Sequence, residues 1–176
     1  MEDKLFRIYK IRSSEITSNI EFRDTSFQQE IWSPSILRPY PAGFFRIKFF
    51  IWYIFKIFKI FKSDSYHVYL IRSEKKVIHH TFVFPAFFRF PFMNKEDLQI
   101  GDVWTDPLFR GKGIARIGII NVLCSFSNND KVFWYIVEDT NKPSVKVAEK
   151  IGFELVGYGK RFSRLGSSLL GFYDFI

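Results

Sequence analysis

A short corner between two kinds of hydrophobic pattern constrains the fold most strongly. The run Leu98–Thr105, LQIGDVWT, alternates like a strand, and the apolar spacing from Lys112 to Phe126 predicts a helix. The corner between them, RGKGIA, contains two glycines and two cations. Glycine is used where the backbone takes a positive φ or approaches a ligand closely, and the free amides at the start of a helix bind anions. The corner therefore predicts an anion site, for which phosphate is the usual ligand.

Two common phosphate-binding motifs do not fit this corner. A P-loop requires GKS or GKT after a longer glycine loop, whereas this segment reads GKGI. The dinucleotide fingerprint requires GxGxxG, and GKGIAR lacks the third glycine. The residues alone also leave open a tight glycine turn in which Arg110 and Lys112 are only solvated.

The other patterns fit one α+β domain over residues 1–176. The chain is long enough to bury a core, and no linker or repeat divides it. Further strands are predicted at Lys4–Ile11, in Tyr66–Phe84 as two strands joined at SEKK, at Lys131–Val137, and in 153–159 and 168–175. Helices are predicted loosely over Ser13–Trp32, and over Phe44–Lys62 and Asn141–Gly152. Alternating strands and helices in the second half favour a layered sheet domain.

Charge and cysteine content limit the partners and the compartment. The net charge of +8 favours an anionic partner, which could be a nucleic acid, a membrane surface or a phosphorylated ligand. The alternative is an AT-rich codon bias, which favours Phe, Ile and Lys and fits 23 phenylalanines against four alanines. Cys124 is the only cysteine, so an intrachain disulfide is impossible, and we expect no metal site. The first residues, MEDKLFRIYK, lack the apolar stretch of a signal peptide. We therefore expect the protein in the reducing cytoplasm.

The segment Phe44–Lys62 predicts an amphipathic helix. Helical projection gathers Lys48, Lys56, Lys59 and Lys62 on one face, opposite a broad aromatic surface. Its longest uncharged run, FFIWYIF, is too short to span a membrane. The helix could lie on anionic lipid at the inner face of the membrane, pack on the sheet, or pack on a second subunit of a homodimer. Cations interleaved with apolar residues do not resemble a groove-binding motif, so we expect no nucleic acid partner.

Two segments resemble the GNAT superfamily of acyl-CoA-dependent N-acyltransferases. Arg110, Gly113 and Ala115 are similar to its motif A, which has Arg or Gln, two residues, Gly, one residue, then Gly or Ala. Pro107 stands where the family often has proline. The segment NKPSVKVAEKIGFELVGYG resembles motif B at the expected distance, through Asn141, Ser144, Lys150 and the pair Gly152-Phe153. The resemblance covers about Leu98 to Gly159.

This resemblance implies a fold and a cofactor. The family has a central, mostly antiparallel, splayed seven-stranded sheet flanked by about four helices. Residues 1–97 would form the acceptor-side half, and residues 98–176 the half that binds acetyl-CoA. The pantetheine arm would pair with the open strand edge at Val103, Trp104 and Thr105. The pyrophosphate would lie on Arg110, Gly111, Lys112, Gly113, Ile114 and Ala115, and the remaining cofactor contacts would be Asn141, Ser144 and Lys150.

Transfer of an acyl group to an amine requires a base that accepts a proton from the ammonium. The candidates are Asp102, Glu138, and either His79 or His80, each of which could instead be structural or solvated. Strand alternation places the two histidines on opposite faces, so only one of them is expected to face the cleft. A backbone amide of Trp104 or Thr105 would stabilise the oxyanion, as the resemblance implies.

The proton donor to the leaving thiolate departs from the family pattern. Many members have a tyrosine four residues before the last glycine of motif B, and this chain has Ala148 there. Water, Ser144, Tyr158 or Tyr173 are the alternatives that remain open.

The acceptor is expected to be a small-molecule amine. The aromatic loop Pro85–Asp97 and the strand after it resemble short GNAT proteins encoded with surface-polysaccharide enzymes, which implies a nucleotide-linked or lipid-linked amino sugar. The motif B pattern also resembles enzymes that acetylate protein N-termini, so a protein or peptide acceptor is the alternative. A third alternative is a non-catalytic module that binds acyl-CoA or docks on membranes.

Overall fold

A computed structural model describes residues 4–16, 27–35, 38–41, 47–164 and 167–176. Eight strands form one sheet: β1 (Leu5–Arg12), β2 (Phe27–Trp32), β3 (His67–Ser73), β4 (Lys76–Pro85), β5 (Leu98–Thr105), β6 (Val132–Glu138), β7 (Glu154–Arg164) and β8 (Ser167–Phe175). Three α-helices accompany them: α1 (Ile47–Ile57), α2 (Ile114–Ser125) and α3 (Lys142–Ile151). The strand order is β2-β3-β4-β5-β6-β1-β7-β8.

The α+β architecture and the mostly antiparallel sheet are confirmed, with small differences in the counts. Every neighbouring pair of strands is antiparallel except β5 and β6, which are parallel. The sheet has eight strands rather than seven, and the described residues form three α-helices rather than about four.

The predicted helix over Ser13–Trp32 is wrong where the structure describes it. Ser13–Glu15 form a single 3-10 turn, Phe27–Trp32 form β2, and residues 17–26 lie outside the described part. The cause is the position of β2 at the edge of the sheet, where four consecutive side chains from Gln28 to Ile31 are exposed. An exposed edge strand loses the alternating pattern by which a strand is recognised.

The predicted helix over Phe44–Lys62 is too long at its C-terminal end. The helix α1 ends at Ile57, and Lys59 has a φ of 51°, which a helix does not allow. Lys59 and Lys62 therefore lie beyond the helix, and Lys56 donates from Nζ to the Pro34 carbonyl oxygen at 2.9 Å. Residues 44–46 and the Lys48 side chain lie outside the described part. The predicted basic face is therefore wrong for Lys59 and Lys62.

The sheet separates two hydrophobic cores. Along β6, Phe133 and Tyr135 pack in the core that contains α2 and α3, whereas Trp134 packs in the core that contains α1. The α1 core is unusually aromatic, with Phe49 and Phe55 of the helix packed among phenylalanines of β4 and of the loop after it. The helix α1 is thus held on the sheet through one face by burial of large rings.

Candidate active site

Strands β5 and β6 diverge after a short parallel contact. They pair only from Leu98 to Ile100, opposite Phe133 to Tyr135, although β5 continues to Thr105 and β6 to Glu138. On its other side β5 stays paired with β4 as far as Thr105. The predicted splay is therefore present, and within the described residues β6 pairs with only the first part of β5.

A bulge in β5 lies at the start of this divergence. Phe82 of β4 pairs with Gly101, but His80 pairs with Trp104, so two β5 residues lie opposite one β4 residue. One of the two, Asp102, has a φ of 43°, in the left-handed region that Asp tolerates better than most residues. Bulges change the direction of side chains and are frequent beside active sites. Asp102 lines a cleft on the α1 face of the sheet.

The cleft has a volume of about 490 Å³. Its aromatic walls come from α1, β4, the loop after β4, and β8: Trp52, Phe84, Phe87, Phe90 and Tyr173. Its polar groups come from that loop, β5 and β7: Arg89, Gln99, Asp102 and Arg161. Most ligand pockets combine apolar walls with a few polar groups in this way.

The two histidines of β4 lie on opposite faces of the sheet. His80 is buried on the α1 face, with its ring stacked on Trp104 and its Nε2 atom 3.9 Å from Asp102 Oδ2. His79 is fully buried on the α2 face, where its ring nitrogens hydrogen-bond Thr105 Oγ1 at 2.9 Å and Thr81 Oγ1 at 2.8 Å. Burial lowers the pKa of His79 to about 3, so this histidine is neutral and structural. Only His80 lies close to Asp102.

Glu138 lies at the end of β6 and is held by an ion pair. Both of its carboxylate oxygens are 3.0 Å from Lys4 Nζ, and Thr140 Oγ1 donates a further hydrogen bond. The bond from Lys4 lowers the pKa of Glu138, which makes its carboxylate a weaker proton acceptor. Glu138 does not line the cleft described above.

The glycine corner adopts the backbone for which glycine is needed. Gly111 and Gly113 both have a φ of 77°, and Gly113 is the N-cap of α2 in the left-handed conformation. Because glycine has no side chain, Gly113 accepts no capping hydrogen bond from the first backbone N–H groups of α2. The flanking cations are exposed: Arg110 Nε donates to the Thr105 carbonyl at 3.1 Å, and Lys112 Nζ lies 5.1 Å from the Phe109 ring. The corner has the features of an anion site at a helix start.

The acetyltransferase (GNAT) family model matches residues 26–153. The chain belongs to the GNAT family. Comparison with curated proteins gave no match.

Several solved structures share the fold. A tandem GNAT protein from the clavulanic acid biosynthesis pathway has a TM-score of 0.64 and 9% identity over 88% of this chain and 51% of its own. A Drosophila protein has a TM-score of 0.60 and 9% identity over 89% and 49%. A GCN5-related N-acetyltransferase from Kribbella flavida has a TM-score of 0.55 and 9% identity over 94% and 60%. The chain thus spans about half to three fifths of the length of these structures.

The GNAT motif B forms α3 with the predicted start and end. Asn141 is the N-cap and accepts a hydrogen bond from the Ser144 backbone N–H at 3.3 Å, and Gly152 ends the helix with a φ of 102°. Ser144 hydrogen-bonds Tyr135, whose ring packs in the α2–α3 core. Ser144 and Asn141 thus lie on the opposite side of the sheet from the cleft that Asp102 lines.

Other motif B positions are distinguished by their exposure. Ala148, where many GNAT proteins have tyrosine, is fully buried in the core and supplies no polar group. Lys150 is exposed in the last turn of α3. The two tyrosines near the C-terminal end that could donate a proton also differ in position. Tyr173 lines the cleft, whereas the ring centroid of Tyr158 lies 5.9 Å from Arg7 Cζ.

Sequence reasoning did not identify two cleft residues, Arg89 and Arg161. Arg89 is the single cation in PAFFRFPFM, and a charge among so many rings was a usable signal. Arg161 carried no local signal, because only the sheet order brings β7 to this cleft.

Within the described helices, none is long and apolar enough to cross a membrane. No three described His, Cys, Asp or Glu side chains are grouped so that they could hold a metal ion.

Proposed function

We propose that this GNAT protein transfers an acetyl group from acetyl-CoA to the amine of an amino sugar, carried on a nucleotide or a lipid, in surface polysaccharide synthesis. The observation that carries the proposal is the bulge at Asp102, because a carboxylate lines an aromatic cleft where β5 leaves β6. Acylation of an ammonium requires a base that accepts its proton, and Asp102 lines the cleft in a position to do so.

The residues expected to hold acetyl-CoA fit that group. The N-terminal amides of α2 from Ile114, exposed by the left-handed Gly113, would bind the pyrophosphate, with Arg110 and Lys112 at its side. The edge of β5 that diverges from β6, from Val103 to Thr105, would bind the pantetheine arm. Asn141, Ser144 and Lys150 of motif B would bind the cofactor from the α3 side. When bound, acetyl-CoA supplies an activated thioester as the acyl donor.

Asp102 is the proposed base of this cleft. Its Oδ atoms would accept a proton from the ammonium of the acceptor, directly or through water. His80 Nε2, 3.9 Å from Asp102 Oδ2, would hold the carboxylate in position. The backbone N–H of Trp104 or Thr105 would donate to the oxyanion. Water is the proposed proton donor to the thiolate, since Ala148 supplies no hydroxyl and Tyr173 lies beside Arg161, away from Asp102.

The amino-sugar acceptor is supported by the walls of the cleft. Aromatic rings present flat apolar faces that suit the face of a sugar or a nucleobase. Guanidinium groups suit the phosphates of a nucleotide or lipid carrier.

A panel of acceptors tests this function. The protein is incubated with acetyl-CoA and with UDP-linked and dTDP-linked amino sugars or short peptides, and thiol release is measured. Thiol release with amino sugars supports the proposal, and thiol release with peptides alone would show that the protein acetylates peptides instead. Tight acetyl-CoA binding without turnover of any amine would instead identify a non-catalytic binding module.

We also propose that the protein works in the cytoplasm against an anionic membrane surface. The C-terminal end of α1 exposes Ile57, and Phe58 directly after it has an exposed fraction of 73%. Lys59 and Lys62 follow directly and are exposed. Adjacent apolar and cationic side chains bind to the boundary between acidic headgroups and acyl chains.

A further inference from the structure

Two guanidinium groups belong to the same wall of the cleft. Arg89 in the aromatic loop lies over two rings, with its Cζ atom 5.5 Å from the Trp52 centroid and 5.9 Å from the Phe87 centroid. Arg161 of β7 lies 5.7 Å from the centroid of Tyr173. The Tyr173 backbone N–H donates to the Arg89 carbonyl at 2.8 Å, which ties the loop to β8. Both arginines are thus positioned by contacts with rings.

The two cations lie close enough to repel each other. Burial lowers the pKa of Arg89, and the nearby charge of Arg161 lowers it further. Among the described residues that line the cleft, Asp102 is the only acid, so the lining carries one more positive charge than negative. An anion bound between the guanidiniums would offset their repulsion, and two planar forks are suited to phosphate oxygens.

Asp102 lies at the opposite end of the cleft from the wall that Arg89 and Arg161 form. The sheet order β5-β6-β1-β7 places three strand spacings between Asp102 and Arg161, which is at least about 14 Å between the backbones at about 4.8 Å per spacing, because β5 and β6 have already diverged at Asp102. A molecule in the cleft can therefore contact the carboxylate at one end and the guanidiniums at the other. Its two ends must carry opposite charges.

We propose that Arg89 and Arg161 bind a phosphate group on the acceptor while Asp102 binds the acceptor's amine. The acceptor is then a phosphorylated amine, with a phosphomonoester or a diphosphate rather than a carboxylate. Two guanidinium charges match the charge of about −2 on such a phosphate. This inference rests on the proposed acetyl transfer, because it assigns the amine end of the same cleft to Asp102.

Calorimetric titration of the protein without acetyl-CoA tests the inference independently of turnover. The probes are glucosamine, glucosamine 6-phosphate and UDP-glucosamine. We expect the phosphorylated probes to bind at least about tenfold more tightly than glucosamine, as charged hydrogen bonds predict. Tighter binding of glucosamine 6-phosphate would indicate a phosphomonoester, and tighter binding of UDP-glucosamine a diphosphate carrier. Equal affinity for all three probes would overturn the inference.

Variants locate the phosphate on the cationic wall. Arg161→Gln and Arg89→Gln should reduce the preference for phosphorylated probes to about threefold or less. Lys160→Gln is the matched control, because it removes the same charge from the next residue of β7, which alternation directs to the other face. An equal loss of preference in Lys160→Gln, or an unchanged preference in Arg161→Gln, would contradict the assignment. Arg161 is exposed, so its substitution tests binding without risk to the core.

The acetyl transfer and the phosphate site can be refuted independently of each other. Phosphate-dependent binding without acetyl transfer would retain the phosphate site and refute the acetyltransferase function. Acetyl transfer to glucosamine and to glucosamine 6-phosphate with equal kcat/KM would retain the function and refute the phosphate site.

Discussion

His79 and Gly118 are in direct contact across the interface between β4 and α2: a β-carbon at position 118 would lie 2.5 Å from His79 Nε2. The imidazole cannot move aside easily, because it is fully buried and its two nitrogens are hydrogen-bonded to Thr105 and Thr81. The glycine therefore allows the helix to approach β4, which carries both His79 and His80 and pairs with the strand of Asp102. Packing at this point supports the site from the opposite face of the sheet.

Gly118→Ala should destabilise the protein. Alanine normally stabilises a helix relative to glycine by about 1 kcal/mol, but here the clash with His79 should reverse the sign and cost about 1–3 kcal/mol. Urea denaturation followed by circular dichroism gives the free energy of unfolding. Arg116→Ala, at an exposed position of the same helix, is the control and should change it by less than about 0.5 kcal/mol. A more stable Gly118→Ala variant would show that the contact is not tight.

The buried histidine should make stability depend on pH. His79 has a pKa of about 3 when folded and a reference value of 6.5, so the unfolded chain binds more protons between these values. Its contribution to stability is present above about pH 6.5 and is lost as the pH falls, by up to about 1.4 kcal/mol per pH unit. His67, whose pKa is also lowered by burial, acts in the same direction.

The measurement is the free energy of unfolding between about pH 5 and 7.5, above the range in which unperturbed carboxylates titrate. His79→Gln keeps a polar side chain at this position without the titration, so its slope should be shallower than that of the wild type. Identical slopes for the two proteins would contradict a neutral buried His79.

The local part of the fold was predictable from the sequence, whereas the cleft was not. The strand Leu98–Thr105, the left-handed glycines and the caps of α3 depend on hydrophobic period and backbone preference, which are read within about a dozen residues. The strand Phe27–Trp32 was missed because its exposed edge position removes the alternation. Arg161 joins Arg89 only because β7 pairs with β1, a long-range contact that no local pattern encodes.

Asp102→Asn should separate the two acidic candidates for the base. Loss of a general base typically lowers kcat by about 10²–10⁴-fold, and acetyl-CoA affinity should stay within about twofold because the amide is isosteric. Glu138→Gln is the comparison: its carboxylate is tied to Lys4 and lies outside the cleft lining, so we expect less than a fivefold change. Initial rates over a range of acceptor concentrations measure both effects. A larger loss in Glu138→Gln would transfer the role of base to that residue.

Phe58→Ser should weaken binding to anionic vesicles. Phe58 is 73% exposed and followed by exposed lysines, so its ring would enter the interface while Lys59 contacts the headgroups. Sedimentation with vesicles of phosphatidylglycerol and phosphatidylcholine, compared with phosphatidylcholine alone, measures the bound fraction. Leu108→Ser is the matched control, because Leu108 is 78% exposed in the turn before α2. Equal binding to both vesicle types, or equal loss in both variants, would show that this end of α1 does not contact the membrane.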